Sequence, residues 1–305
     1  MAKMPLGIMR PTMRLAQLSP SQAPRASCST SAHPVLVSLH PSRPAAGLAA
    51  AFAGGCALRQ RRARAASAAS DLDAAALPVA SALSSVLGRI NAAADGRSVQ
   101  LVAVSKTRPA SAVEEAFRAG QVLFGENYVQ ELLEKASLAP PEVRWHFIGK
   151  LQSNKVKKVL SVPNLKAIET VDSSSLADRL ARVAKELGRG VEAPALDVYV
   201  QVDTSGEETK GGVDPEDAPA LAAHIVKACS PALRLAGLMT IGAPGDFSCF
   251  DRLIEARRRT AELLGLGQEE LALSMGMSGD YEEAIRAGAT SVRVGSSIFG
   301  ARPPK

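Results

Sequence analysis

The alternation of apolar and polar positions predicts an amphipathic helix over roughly Leu77 to Ala94, followed by short apolar runs that alternate with segments of helical period. The candidate strands end at Val104, Phe124, Ile148, Glu169, Val202, Ile241, Ser274 and Val294. Strands that read as continuous Val/Ile/Leu runs are covered on both faces, and strands alternating with helices form parallel sheets. Eight such units in this length predict one domain, a closed (β/α)8 barrel, with an open doubly wound sheet as the alternative. In a barrel, the segments that follow the strands share one mouth at the C-terminal ends.

Those segments are small and polar. They include Ser105-Lys-Thr-Arg108, Gly125-Glu-Asn-Tyr128, Met275-Gly-Met-Ser278 and Gly295-Ser-Ser297. Lys106 follows the first apolar run directly. A lysine at such a strand end either snorkels to water or sits in a half-dry pocket, where burial lowers its pKa and the neutral amine can condense with an aldehyde. The loops after strands seven and eight carry glycines and serines that favour an anion through free backbone N–H groups, or that make tight turns and cap helices. In Ser291-Val-Arg-Val-Gly295, alternation turns Val292 and Val294 toward the helices and Arg293 into the barrel. A buried arginine needs an acceptor, either a carboxylate on a neighbouring strand or the ring nitrogen of a cofactor. An amine, two anion-binding turns and an inward arginine together match pyridoxal phosphate in its three reactive parts.

Charge changes the picture at the N-terminus. The first seventy residues hold nine of the 36 basic residues and none of the 30 acidic ones, and they are rich in Ala, Ser and Pro. This composition predicts that residues 1–70 are a disordered organelle transit peptide, directed to the chloroplast, with the mitochondrion as the alternative destination. Residues 71–305 are then the barrel, with a net charge near −3, so the basic character of the whole chain is no argument for nucleic-acid binding. No run is long enough for a membrane helix. Cys229 and Cys249 lack CxxC or metal spacing and read as ordinary reduced thiols.

Six ordered blocks carry a family resemblance: Leu101-Val-Ala-Val-Ser-Lys106, Phe124-Gly-Glu-Asn-Tyr-Val-Gln-Glu131, Trp145-His-Phe-Ile-Gly-Lys-Leu-Gln-Ser-Asn-Lys155, Gly237-Leu-Met-Thr-Ile-Gly242, Ser274-Met-Gly-Met-Ser278 and Val292-Arg-Val-Gly-Ser-Ser297. Through nearly all of the chain after residue 70, the sequence resembles the pyridoxal phosphate homeostasis (YggS/PROSC) family. The resemblance implies a single TIM barrel of the alanine racemase N-terminal type, preceded by an N-terminal helix. It also implies pyridoxal phosphate bound as an internal aldimine on Lys106. By similarity to the racemase barrel, Arg293 meets the pyridine nitrogen, while Ser278 and the amides of Gly295 and Ser296 hold the phosphate. Asn127 and Tyr128 line the ring side of the pocket, or Asn127 caps the next helix. His146 reads as a satisfied structural histidine, and Lys210 as a solvated loop lysine.

Two functions compete on this barrel. One is a non-enzymatic carrier that buffers pyridoxal phosphate and supplies apo-enzymes. The other is a pyridoxal phosphate-dependent amino-acid racemase of low activity. A cofactor-free Schiff-base lyase or aldolase is a third possibility. The chain ends just after the eighth unit, which leaves no expected room for the second domain that supplies the other base in racemases. Arg293 stays protonated and keeps the pyridine nitrogen unprotonated, which weakens the ring as an electron sink. The expectation is a monomeric binder without turnover.

Overall fold

The computed structural model describes residues 78–207 and 209–301. The transit peptide expected at residues 1–70 lies outside the described residues.

A first helix, α1 (Pro78–Ala94), precedes eight parallel strands: β1 (Gln100–Val104), β2 (Leu123–Glu126), β3 (Arg144–Phe147), β4 (Leu165–Val171), β5 (Leu196–Gln201), β6 (Leu233–Met239), β7 (Ala272–Met277) and β8 (Ser291–Val294). Between and after them lie α2 (Ala110–Arg118), α3 (Val129–Leu138), α4 (Val156–Leu160), α5 (Ser174–Glu186), α6 (Ala218–Ala228), α7 (Ser248–Leu264), α8 (Tyr281–Ala287) and α9 (Ser296–Phe299). The strands pair in chain order and β8 closes on β1, from Gln100 opposite Ser291 to Ala103 opposite Val294. The closed barrel is therefore realised, and the open sheet is excluded.

Alternation along the strands divides the buried residues into two shells. Leu101, Ala103, Phe124, Trp145, Ile168, Val198, Leu238, Val292 and Val294 belong to one large apolar cluster with the helices. Each fully buried Val, Leu, Ile or Phe side chain there contributes about 1.5–3 kcal/mol, so this outer shell carries the fold. The alternate positions turn inward, where Ala167, Tyr199 and Met239 form a small separate cluster. α1 buries Leu83, Val86, Ile90 and Ala94, spaced at three and four residues along one face, and packs on α8 and α9. Among the described residues, no helix is long and apolar enough to cross a membrane.

Only β1 and β8 end where the sequence reading put them. β3 and β5 stop one residue earlier, β6 stops two residues earlier at Met239, and β4 runs two residues further to Val171. β2 runs on through Glu126, and β7 continues to Met277 where a loop was expected after Ser274. The extension of β7 depends on Gly276, whose backbone is left-handed at φ +91 and lies where the β7–β8 register shifts. A Cβ at that position would fall 2.6 Å from the Ala284 Cβ, so the irregular strand end requires glycine.

Candidate functional site

A cavity of about 230 Å³ opens at the C-terminal ends of β1, β7 and β8. Its size suits a one-ring ligand, below the usual range of roughly 300–1,000 Å³ for drug-sized pockets. Five of the residues singled out in the sequence line it together: Lys106, Ser278, Arg293, Gly295 and Ser296. They come from three strand ends separated by as many as 190 positions.

Asn127 is the exception. It lies in the turn between β2 and α3 and does not line this cavity. Nor does it cap α3, because Tyr128 occupies the cap position and makes no side-chain cap bond. The Asn127 Oδ1 is buried without a hydrogen-bond partner. Its main chain is packed under Gly149, where a Cβ would fall 2.0 Å from the Asn127 carbonyl oxygen.

Lys106 begins a tight turn as β1 ends. The Ser105 N–H donates to the Gly125 carbonyl at 3.1 Å, the last rung of the β1–β2 ladder, and the Arg108 N–H returns to the Ser105 carbonyl at 3.0 Å. Lys106 is half-buried. Thr107 is left-handed at φ 62, a rare conformation for a β-branched residue.

Across the cavity, the Gly295 N–H donates to Ser278 Oγ at 3.1 Å. Accepting there leaves the Ser278 hydroxyl hydrogen available to donate. Ser296 opens α9, where Ile298 and Phe299 donate to the Gly295 carbonyl and the N–H groups of Ser296 and Ser297 are left without helical acceptors. Asp280 fixes the adjoining turn, accepting from the Met277 N–H at 2.6 Å and returning its own N–H to the Met277 carbonyl at 3.1 Å.

Arg293 forms the floor. It is buried and points inward, while Val292 and Val294 join the helix-facing shell. Its Nη1 donates to Ser274 Oγ and its Nη2 to the Thr240 carbonyl, both at 2.6 Å. Glu169 Oε2 lies 3.9 Å from Nη1 and accepts the Ser274 hydroxyl at 2.6 Å, while Oε1 pairs with His146 Nδ1. Both acceptor readings of Arg293 are thus open to it at once, since a strand carboxylate holds the guanidinium and the same guanidinium lines the cavity.

Burial alone would raise the Glu169 acid, but the hydrogen bond from His146, the charge of Arg293 and the Ser274 hydroxyl outweigh it and hold this carboxyl below its ordinary range. Burial draws the Arg293 guanidinium down from its usual value, with Glu169 opposing. A guanidinium remains charged under such pressure.

His146 is buried against Glu169, which bears out its structural reading, and it does not line the cavity. Lys210 is not simply solvated. It donates to Glu207 and to the Gly242 carbonyl, both at 2.7 Å, and ties its loop to the segment after β6.

Sequence reasoning assigned no role to Arg108 or Glu169. Arg108 lines the cavity and donates to the carbonyls of Gly300 and Ala301. Its signal was present in the sequence, a second cation two positions beyond Lys106 in the same segment.

Glu169→Gln is expected to lower stability, because it leaves Arg293 and His146 facing a neutral partner. Breaking a buried charged pair costs about 3–5 kcal/mol, which corresponds to a Tm drop of roughly 10 °C in a domain of this size. The folded acid is depressed, so its contribution is complete above the unfolded value of 4.5 and is lost as pH falls through the lower folded value. Thermal unfolding from pH 7 to pH 3 tests this. The variant should start lower and lose less stability across the acid limb.

Comparison with known proteins gives the same picture for the described barrel. The family model for the alanine racemase N-terminal domain matches residues 80–303. The pyridoxal phosphate homeostasis protein of Mus musculus is 50% identical over 214 residues, covering 67% of this chain and 77% of that one. Its counterpart in Schizosaccharomyces pombe is 48% identical over 229 residues, covering 73% and 92%. The solved structure of PipY from Synechococcus elongatus PCC7942 with pyridoxal phosphate bound superimposes with a TM-score of 0.60 at 38% identity, covering 73% of this chain and all of that one.

Proposed function

Because this chain belongs to the pyridoxal phosphate homeostasis protein family and carries the alanine racemase N-terminal domain, we propose that it binds pyridoxal phosphate in the mouth cavity, buffers it and releases it to apo-enzymes. The observation that carries this reading is the convergence of Lys106, Arg293, Ser278 and Ser296 on one small cavity. The residues fit the cofactor. An amine, a donor aimed inward from the floor and hydroxyl and amide donors at a helix start complement an aldehyde, a ring nitrogen and a phosphate.

When bound, pyridoxal phosphate supplies an aldehyde that condenses with amines and a ring that withdraws electrons. The protein side is simple. Lys106 Nζ would be the amine that meets the aldehyde, and only its neutral form is a nucleophile. The Ser278 hydroxyl and the N–H groups of Ser296 and Ser297 would hold the phosphate. Arg293 would donate a hydrogen bond at the ring nitrogen without transferring its proton, because Glu169, Ser274 and Thr240 hold it as a guanidinium. A ring without that proton is a poor sink for a carbanion, which favours holding over turnover.

The racemase reading makes the opposite prediction, and one preparation tests both. The loaded protein is expected to racemise alanine and other amino acids far more slowly than about 1 s⁻¹, the low end of ordinary enzyme turnover. Mixed with an apo-enzyme that depends on pyridoxal phosphate, it is expected to restore that enzyme's activity. Racemisation at an enzyme-like rate, followed by chiral chromatography, would replace the carrier reading with the enzymatic one.

A further inference from the structure

Behind the Lys106 turn, on the helix side of the sheet, lies a buried charged cluster that takes no part in the cavity. Lys135 of α3 is 4% exposed. Its ammonium donates to the Ser105 carbonyl at 2.8 Å, to Glu126 Oε1 at 2.7 Å and to Glu131 Oε2 at 2.7 Å. The same Glu126 oxygen accepts the Ser105 hydroxyl at 2.7 Å, and the same Glu131 oxygen accepts the Thr107 N–H at 2.7 Å. Both neighbours of Lys106 are therefore held from the side of the sheet opposite the cavity.

The arrangement is expensive as packing. Taking ions out of water is unfavourable, and well-packed apolar side chains of similar volume often do as well or better. α3 already presents Leu132, fully buried, to the same shell. Burial pushes the Glu126 acid above its ordinary value even with Lys135 and Ser105 beside it, and Glu126 Oε2 has no partner. What the cluster does achieve is geometric. It fixes the carbonyl of residue 105 and the N–H of residue 107, and it holds Thr107 at φ 62, a strained conformation that persists only where the surroundings enforce it.

We propose that Lys135, with Glu126 and Glu131, is a positioning group that aims Lys106 into the cavity by clamping the backbone on both sides of it. The proposal rests on the reading of Lys106 as the capturing amine. The three side chains never touch the ligand, and they act only through the direction in which the Lys106 side chain leaves the turn.

The test uses the full chain and four proteins: wild type, Lys135→Met, Glu131→Ala and Glu131→Gln. Circular dichroism and Tm establish folding. Absorbance titration with pyridoxal phosphate gives affinity and capture rate, and borohydride reduction with peptide mapping reports the labelled lysine. Folded Lys135→Met and Glu131→Ala are expected to capture pyridoxal phosphate more slowly and about tenfold more weakly, a change of about 1.4 kcal/mol. Glu131→Gln, which keeps an oxygen for the Thr107 N–H, should restore most of the rate. If both variants lose Tm but capture at the wild-type rate, the cluster is structural glue and the proposal is overturned. Should Lys135→Met fail to fold, Glu131→Ala decides alone, since the Glu131 side chain is 28% exposed. Wild-type protein labelled elsewhere than Lys106 would instead defeat the reading of the cavity, and the positioning role with it.

Discussion

Lys106→Ala is expected to abolish covalent capture of pyridoxal phosphate. Among the residues that line the cavity, Lys106 alone carries a primary amine, the neighbouring cations being the guanidinium groups of Arg108 and Arg293. Guanidinium does not lose its proton under ordinary conditions and cannot serve as the nucleophile. The variant keeps Arg293, Ser278 and Ser296, so weak non-covalent binding should survive, reduced by two decades or more, about 3 kcal/mol. The outer shell is untouched, and Tm without ligand should stay near the wild-type value. Borohydride reduction followed by peptide mapping is the direct readout. A label that persists on Lys150, Lys155 or Lys210 in the variant would show that another lysine holds the aldehyde.

The second large effect is expected at Arg293. Replacing it with alanine removes a charge-assisted contact to the ligand, worth about 1.5–3 kcal/mol or one to two decades in affinity. It also takes the guanidinium charge away from Glu169 and strips Ser274 Oγ and the Thr240 carbonyl of their donor. Stability and affinity should therefore fall together in the single variant. The double variant Arg293→Ala/Glu169→Gln separates them, because neutralising Glu169 removes the unpaired buried charge. Calorimetry should show stability partly restored, and titration should show affinity still low. Unchanged affinity in folded protein would remove Arg293 from the ligand.

What the sequence made legible was whatever repeats or alternates. The eight strands appear as apolar runs, and period-two alternation was enough to turn Arg293 inward with Val292 and Val294 outward. Lys106 stood out because it breaks an apolar run where a barrel strand meets its mouth. The holders of Arg293 did not stand out. Glu169, Thr240 and Ser274 come from β4, the segment after β6 and β7, and a single polar residue at or near a strand end is indistinguishable in sequence from the end of the strand. Lys135 was hidden for another reason. Glu131 and Lys135 are spaced like an ordinary exposed pair one helical turn apart, and only the tertiary fold shows that the lysine end is dry. Asn127, expected on the ring side of the pocket, has its main chain packed against Gly149, next to the cavity-lining Ile148, and is not itself among the lining residues.

Thr107 gives the site a cost that selection would feel. A glycine would adopt the φ of 62 with little penalty, and chains are rarely at their stability optimum where function opposes it. A library enriched only for heat resistance would drift toward glycine at this position, gaining stability while loosening the hinge from which Lys106 projects. A library enriched for cofactor retention would keep the stiffer residue. Position 107 is thus a place where thermal tolerance and the grip on the cofactor are in direct competition.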